Sequence, residues 1–396
     1  MTDASLPLDG LLVVDLSRAL AGPHASMMLG DLGARVVKIE APGLGDDTRG
    51  WGPPFVDPPS EPDGARESTY FLSANRNKQS VILDLKAQDD HAAVVELIRR
   101  ADVLVENFRV GVLDRLGLGL DRLFELNPGL VVLSITGFGH DGPEAGRAGY
   151  DQIAQGEAGL MSVTGPDPDQ PQKAGVPIAD LLAGIHGAHG VVAALFARQR
   201  SGRGAVVRTS LLASVIGVHG FQGTRWTVAR EAGRAQGNHH PSIAPYGLFR
   251  CADGAVQIAV GSEGLWSRFC AGFGIDPQTP GLATNPERVA RRDEVIALVE
   301  KVFAAWEAEP LLTRLAELGI PAGRVRTLDE VYSWDQVRSQ GLLIDVEHDS
   351  LGPLTLPGPP LRFFDRDGTE HLRRHTAPPR LGADTTAVLA WLDRGP

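Results

Sequence analysis

Two cysteines, Cys251 and Cys270, are all that 396 residues contain. That is too few for a disulfide framework and fits a reducing compartment, so a cytoplasmic location is expected. Lysine is scarce too: Lys38, Lys78, Lys86, Lys173 and Lys301 are the only five, and arginine carries most of the positive charge. Acidic residues outnumber basic ones, 49 to 38, for a net charge of −11. A general nucleic-acid binder needs a basic footprint, so no nucleic-acid partner is expected. No long, purely apolar run occurs. The nearest approach, 181–197, contains His186 and His189 among small residues and reads as a buried helix, with no membrane partner. The start, MTDASLPLDG, lacks the basic and apolar regions of a signal peptide. There is no P-loop and no G-x-S-x-G elbow. His239 and His240 are adjacent, so in a strand they would face opposite ways, and no metal site is expected.

What is present is an alternation of strand and helix patterns. LLVVDLS reads as a buried strand, AGPHASMMLGDLG as a helix opened by Gly22-Pro23, and RVVKIE as a parallel second strand. SVILDLK, HAAVVELIRRA, DVLVENF and LVVLSITGFG continue the series. The expected fold is α/β, a doubly wound, mainly parallel sheet in a discontinuous large domain, with a smaller α+β domain. The expected boundaries are 1–221 for the large domain, 222–325 for the small one, and 326–396 for a segment returning to the first. In the small domain, YGLFRCADGAVQIAV predicts a hairpin, followed by helices near Glu263–Gly272 and Arg288–Glu307. The Gly- and Pro-rich stretch 46–65 reads as an exposed excursion.

The first βαβ unit invites a dinucleotide reading, with Glu40 placed where a ribose-binding acid would lie. ALAGPH, however, lacks the three glycines that this motif needs. Polar clusters instead gather at predicted strand ends. Arg49, Arg76, Lys78, Arg109 and Arg115 are expected to bring positive charge to one side, which suits a phosphate-bearing ligand. In KAGVPIADLLAGIHGAHG one acid, Asp180, stands where an apolar run meets a small-residue helix. Its bland reading is an N-cap.

Taken in order, AGP, LGDLGARVVKIE, GDDTRGW, NRNKQSVILDLK, ADVLVENFRVGVLDRLGLG, SITGFGHDGP, GYDQIAQ, the Asp180 segment, SGRGAVV, GNHHPSIAPYGLF and GIPAGRV resemble the family III CoA-transferases. That group also contains alpha-methylacyl-CoA racemases. The resemblance spans nearly the whole chain. It implies an interlocked homodimer, acyl-CoA and a small carboxylic acid as substrates, and no cofactor beyond the CoA thioester. It implies that Asp180 is a catalytic nucleophile forming an aspartyl-CoA thioester. It assigns CoA contacts to Leu20, Ala21, Leu83, Lys86, Asn107, Phe108, Arg109, Arg115, Ala148, Tyr150 and Asp151. Ala41 stands where a basic residue often follows KIE, so adenine must be held differently. Leu20 replaces a glutamine associated with oxalate and formate, which makes those acids doubtful substrates. The donor could be succinyl-CoA. The alternatives are an acyl-CoA epimerase of the racemase kind or a non-catalytic CoA-binding protein. Against the first, the racemase acid/base histidine is Tyr150 here, and a phenol of pKa about 10 is a poor partner for α-proton exchange. Against the second, Asp180 is present.

Overall fold

The computed structural model describes residues 6–59, 66–371 and 374–394. It divides into two compact units. One comprises 161–173 and 229–334, and the other the rest of the described chain. The second unit thus takes in a short earlier segment, 161–173, that the expected range of 222–325 did not include.

The first unit is built on six parallel strands: β1 (Leu12–Asp15), β2 (Arg35–Glu40), β3 (Lys78–Ile82), β4 (Val103–Glu106), β5 (Val131–Thr136) and β6 (Ala205–Ser210). Their order across the sheet is β3-β2-β1-β4-β5-β6, and every neighbouring pair is parallel. The direction of winding reverses between β1 and β4. In such sheets ligands bind outside the carboxyl ends of the strands at that reversal. The topology is that of a dinucleotide-binding sheet even though the glycine fingerprint is missing.

Side chains alternate along each strand, so both faces are apolar. Val13, Val36, Val103, Leu133 and Ile135 pack under helices α1 (Ala21–Asp31) and α4 (Ile178–Ser201). Leu12, Val14, Val37 and Leu104 pack under α2 (Gln88–Arg100) and the final helix, Thr385–Asp393. The helix expected over 181–197 is α4, which begins three residues earlier and runs to Ser201. Its small residues serve close packing. A Cβ on Gly184 would lie 2.8 Å from the Ala21 carbonyl, and one on Gly187 would lie 2.9 Å from Leu133. Two shorter helices, α3 (Asp151–Glu157) and α5 (Leu211–Gly217), also pack on α4.

The second unit has the expected hairpin, Tyr246–Cys251 with Gly254–Ala259, extended by Ala322–Gly323. Phe249, Trp266, Phe269, Val299, Phe303 and Leu311 form its core. The helix expected over Arg288–Glu307 is two helices, Asn285–Ala290 and Arg292–Phe303. A capping box between Thr284 and Glu287, with Pro286 in the first turn, starts the first of them early. The stretch expected to be an exposed excursion is anchored at its start, since Asp46 and Thr48 are buried. Residues 60–65 of it lie outside the described residues.

Candidate active site

The turn after β1 rests on a cluster of buried charge. Asp15 accepts from Ser17 N–H at 2.9 Å, from the Ser17 hydroxyl, from Ser26 Oγ at 2.5 Å and from Lys78 Nζ at 3.1 Å. Lys78 also donates to the Pro23 carbonyl at 2.8 Å and to Asn75 Oδ1 at 2.9 Å. Lys38 pairs with Asp46 at 2.8 Å and donates to the Ser17 carbonyl at 2.7 Å. Burial pushes the Asp15 carboxyl up, but Lys78, Lys38 and its hydroxyl donors outweigh that and hold it at about 2. The same burial lowers Lys78 to about 8. Lys38 is raised, because Asp15, Asp46 and Glu40 overcome its burial.

This cluster fixes the path of residues 17–20. Ala19 takes a left-handed conformation, φ 64°, and its N–H donates to Asp46 Oδ1 at 3.2 Å. Asn107, just past β4, clasps the same turn: its Oδ1 accepts from Arg18 N–H at 2.8 Å, and its Nδ2 donates to Arg18 O at 2.7 Å. Asn107 therefore bridges the two sides of the switch point. Leu20 and Ala21 follow, both buried, where α1 begins.

Asp180 is not an N-cap. It is the third residue of α4, whose N-cap is Pro177. Its side chain is half-buried, and burial followed by the charge of Asp151 raises its carboxyl to about 7. Burial, with Asp180, Asp151 and Asp46 adding to it, pushes the Tyr70 phenol up to about 12. Asp151 Oδ1 accepts from the N–H groups of Ala179 (2.8 Å) and Asp180 (3.3 Å). An acid near 7 in a partly enclosed position is available both as carboxyl and as carboxylate at neutral pH.

The other sequence-predicted residues fall in several places. Leu83 has its side chain in the core under α2, so only its backbone is at a strand end. Lys86, Arg109 and Arg115 are exposed. Phe108 and Arg109 line a cavity of about 580 Å³ at the ends of β4 to β6, together with Glu106, Ser134, His140 and Arg208. Ala148 and Tyr150 are exposed, Tyr150 to 68%. The expected band of positive charge needs correction. Arg49 is held by Glu40 and Glu67, Arg76 by Asp31, and Lys78 by Asp15. These cations are neutralised inside the protein, which leaves Arg109 and Arg115 of the five at the surface. Glu40 is likewise occupied, by Arg49, Ser80 and the Asp46 N–H.

Sequence reasoning missed Tyr70 and Gln155. Gln155 was signalled by its spacing of four from Asp151 on one short helix, which places both side chains on the same face. Among the described residues no group of three His, Cys, Asp or Glu side chains is arranged to hold a metal ion.

The family model described as CoA-transferase family III matches residues 8–385. A succinate–glutarate CoA-transferase of Agrobacterium fabrum is 39% identical, over 99% of this chain and 97% of that one. A succinyl-CoA:glutarate CoA-transferase of Mus musculus is 36% identical, over 98% of this chain and 86% of its own. The crystal structure of a CAIB/BAIF family protein from Brucella suis superposes with a TM-score of 0.85 at 38% identity, covering 98% of this chain and all of that one.

Proposed function

Because the chain belongs to CoA-transferase family III and moves CoA from an acyl-CoA to a free carboxylic acid, we propose that Asp180 is the group through which the CoA passes. The observation that carries this reading is its carboxyl: half-buried, in the first turn of a helix, beside Asp151, and raised to about 7. The helix's amino end favours the negative charge of tetrahedral intermediates formed there.

The Asp180 carboxylate attacks the donor thioester carbonyl. The C–S bond breaks, giving an acyl-aspartyl anhydride and CoA thiolate. The thiolate attacks the aspartyl carbonyl of the anhydride and releases the donor carboxylate, leaving an aspartyl-CoA thioester. The acceptor carboxylate attacks that thioester, again freeing the thiolate, which then takes the acceptor acyl group and restores Asp180. Each step exchanges one activated acyl bond for another, so no external energy source enters.

The names of the two relatives support succinyl-CoA as donor and a dicarboxylate such as glutarate as acceptor. Asn107 and the turn it clasps, with Leu20 and Ala21, are proposed to border the pantetheine. Lys86, Arg109 and Arg115, all exposed, are proposed to meet the phosphates. A KM for acyl-CoA that rises with salt is the mark of that contact. Exposed apolar side chains on and after α4, among them Val192, Phe196 (61%), Phe221 and Trp226 (53%), support burial against a second copy. The assembly proposed is the interlocked homodimer, and folded monomer in sedimentation at high dilution would refuse it.

The test uses a panel of acyl-CoAs and free acids, with new thioesters followed by mass spectrometry. Enzyme quenched with hydroxylamine or borohydride during turnover is expected to carry the modification on the Asp180 peptide. Modification of another acidic peptide, or transfer by Asp180→Asn, would remove Asp180 from the role.

A further inference from the structure

The helix that presents Asp180 has no cap of its own. Pro177 has no N–H and offers no side-chain acceptor. The Ile178 N–H is satisfied by the Val176 carbonyl at 2.8 Å. The next two N–H groups, of Ala179 and Asp180, would be orphans of the first turn, and both end on Asp151 Oδ1. Asp151 Oδ2 accepts from Gln155 Nε2 at 2.7 Å, and Gln155 Oε1 accepts from the Ala174 N–H at 2.8 Å. Gln155 has no exposed surface. One face of α3 therefore holds both the approach to α4 and its first turn.

We propose that Asp151 is a positioning residue for the nucleophile: it caps the first turn of α4 from a different helix and holds a fixed negative charge against the Asp180 carboxyl. The proposal rests on Asp180 being the nucleophile.

Among the described residues, burial and Asp151 set the shift of Asp180, and no cation from the elements packed on α4 enters it. α1 presents His24, which packs at Gly184, one turn beyond Asp180. Burial, Arg76 and Lys78 lower it to about 4, so it is neutral. On α3 the other acid, Glu157, pairs with Arg147. α5 and β5 have no titratable side chain. β6 has Arg208, which lines the cavity at the ends of β4 to β6. On α4 itself, His186 lies toward Gly217. Tyr70, on the short helix Thr69–Ser73, stays a neutral phenol.

The charge of Asp151 acts differently before and after attack. While Asp180 is a carboxylate the two negative groups repel, so the resting nucleophile is destabilised and basic. Once Asp180 is an anhydride or a thioester its charge is gone and the repulsion is relieved. An interaction that penalises the carboxylate more than the species formed from it accelerates the step that removes that charge.

The experiment measures kcat/KM for transfer from about pH 5 to about pH 9 for the wild type, Asp151→Asn, Asp151→Ala and Asp180→Asn. Wild-type activity should rise through a midpoint near 7. Asn keeps an acceptor oxygen for the two N–H groups but not the charge. The Asp151→Asn profile should therefore move to lower pH, retaining at pH 6 a share of its own plateau roughly two-fold or more above the wild-type share, with a lower plateau kcat. Asp151→Ala loses the cap as well and should fall in kcat at every pH. An Asp151→Asn profile superimposed on the wild type, with Asp180→Asn inactive, overturns the role of Asp151 and leaves the nucleophile standing. An active Asp180→Asn overturns the nucleophile itself. Should Asp151→Asn fail to fold, the infrared carboxyl band of the wild type, assigned by its loss in Asp180→Asn, decides instead. A band that titrates in the ordinary carboxylate range overturns the proposal.

Discussion

Asp15 is fully buried and Asp180 half-buried, and their carboxyls are shifted in opposite directions. Asp15 is held at about 2 and Asp180 is raised to about 7. Burial pushes each of them up. The difference is what surrounds them. Asp15 faces two ammonium groups and two hydroxyl donors. For Asp180 the charge that adds to burial is another carboxylate, Asp151. Depth alone therefore does not separate a structural acid from a reactive one. Asp15 is compensated; Asp180, the proposed nucleophile, has beside it a carboxylate that is itself held in place. The same distinction divides the cations, since Lys38 and Lys78 are locked inside while Lys86, Arg109 and Arg115 are free at the surface.

The largest effect is expected where compensation is removed from the structural side. Asp15→Asn leaves Lys78 buried with only neutral acceptors, Asn75 Oδ1 and the Pro23 carbonyl. Breaking one side of a buried pair costs about 3–5 kcal/mol. Lys78 is already lowered to about 8 and should fall further without Asp15. A lysine whose folded pKa lies below its unfolded value binds fewer protons in the native state, so stability rises with pH between the two values. Denaturant melts of Asp15→Asn should therefore show a deficit that is full above the ordinary aspartate value of 3.8, where Asp15 is ionised in the wild type, and that shrinks as pH rises above the folded Lys78 value. A variant within ~0.5 kcal/mol of the wild type at neutral pH would show that the cluster is not the anchor assigned to it.

Much of this contrast could be read in the sequence, though not its sense. The strands, the alternation with helices and the acid at the 178–180 junction are periodicity and punctuation, and periodicity is local. Asp180 was legible because the motif around it has a family resemblance. Its cap was not, because Asp151 lies 29 residues upstream on the separate helix α3. Lys78 and Arg76 looked like ligands for an anion, since charge at a strand end is all that a sequence displays. Their partners Asp15 and Asp31 come from β1 and α1, and the pairing exists only once the sheet has ordered β3 beside β2 and β2 beside β1. The break at Arg291 was hidden for a different reason: amphipathic periodicity continues across it, and the Thr284–Glu287 capping box that starts the earlier helix was overlooked.

A smaller effect, of opposite sign, is expected on the reactive side. An acid whose folded pKa lies above its unfolded value binds more protons in the native state, so stability falls as pH rises between the two. For Asp180 that window runs from the ordinary value of 3.8 to about 7. Above it, the folded protein holds a charge that the unfolded chain would hold more comfortably. The whole gap corresponds to about 4 kcal/mol. Asn removes the charge but keeps a polar amide that must still be withdrawn from water, so the net gain for Asp180→Asn should be about 2 kcal/mol. Asp180→Asn should therefore be more stable than the wild type at pH 8, with the difference fading as pH falls toward 4. Thermal melts of both proteins across that range, with no acyl-CoA present, measure it. A gain that persists unchanged at low pH would assign the strain to packing. No gain at any pH would mean that the Asp180 carboxylate is compensated after all, and that it resembles Asp15 rather than opposing it.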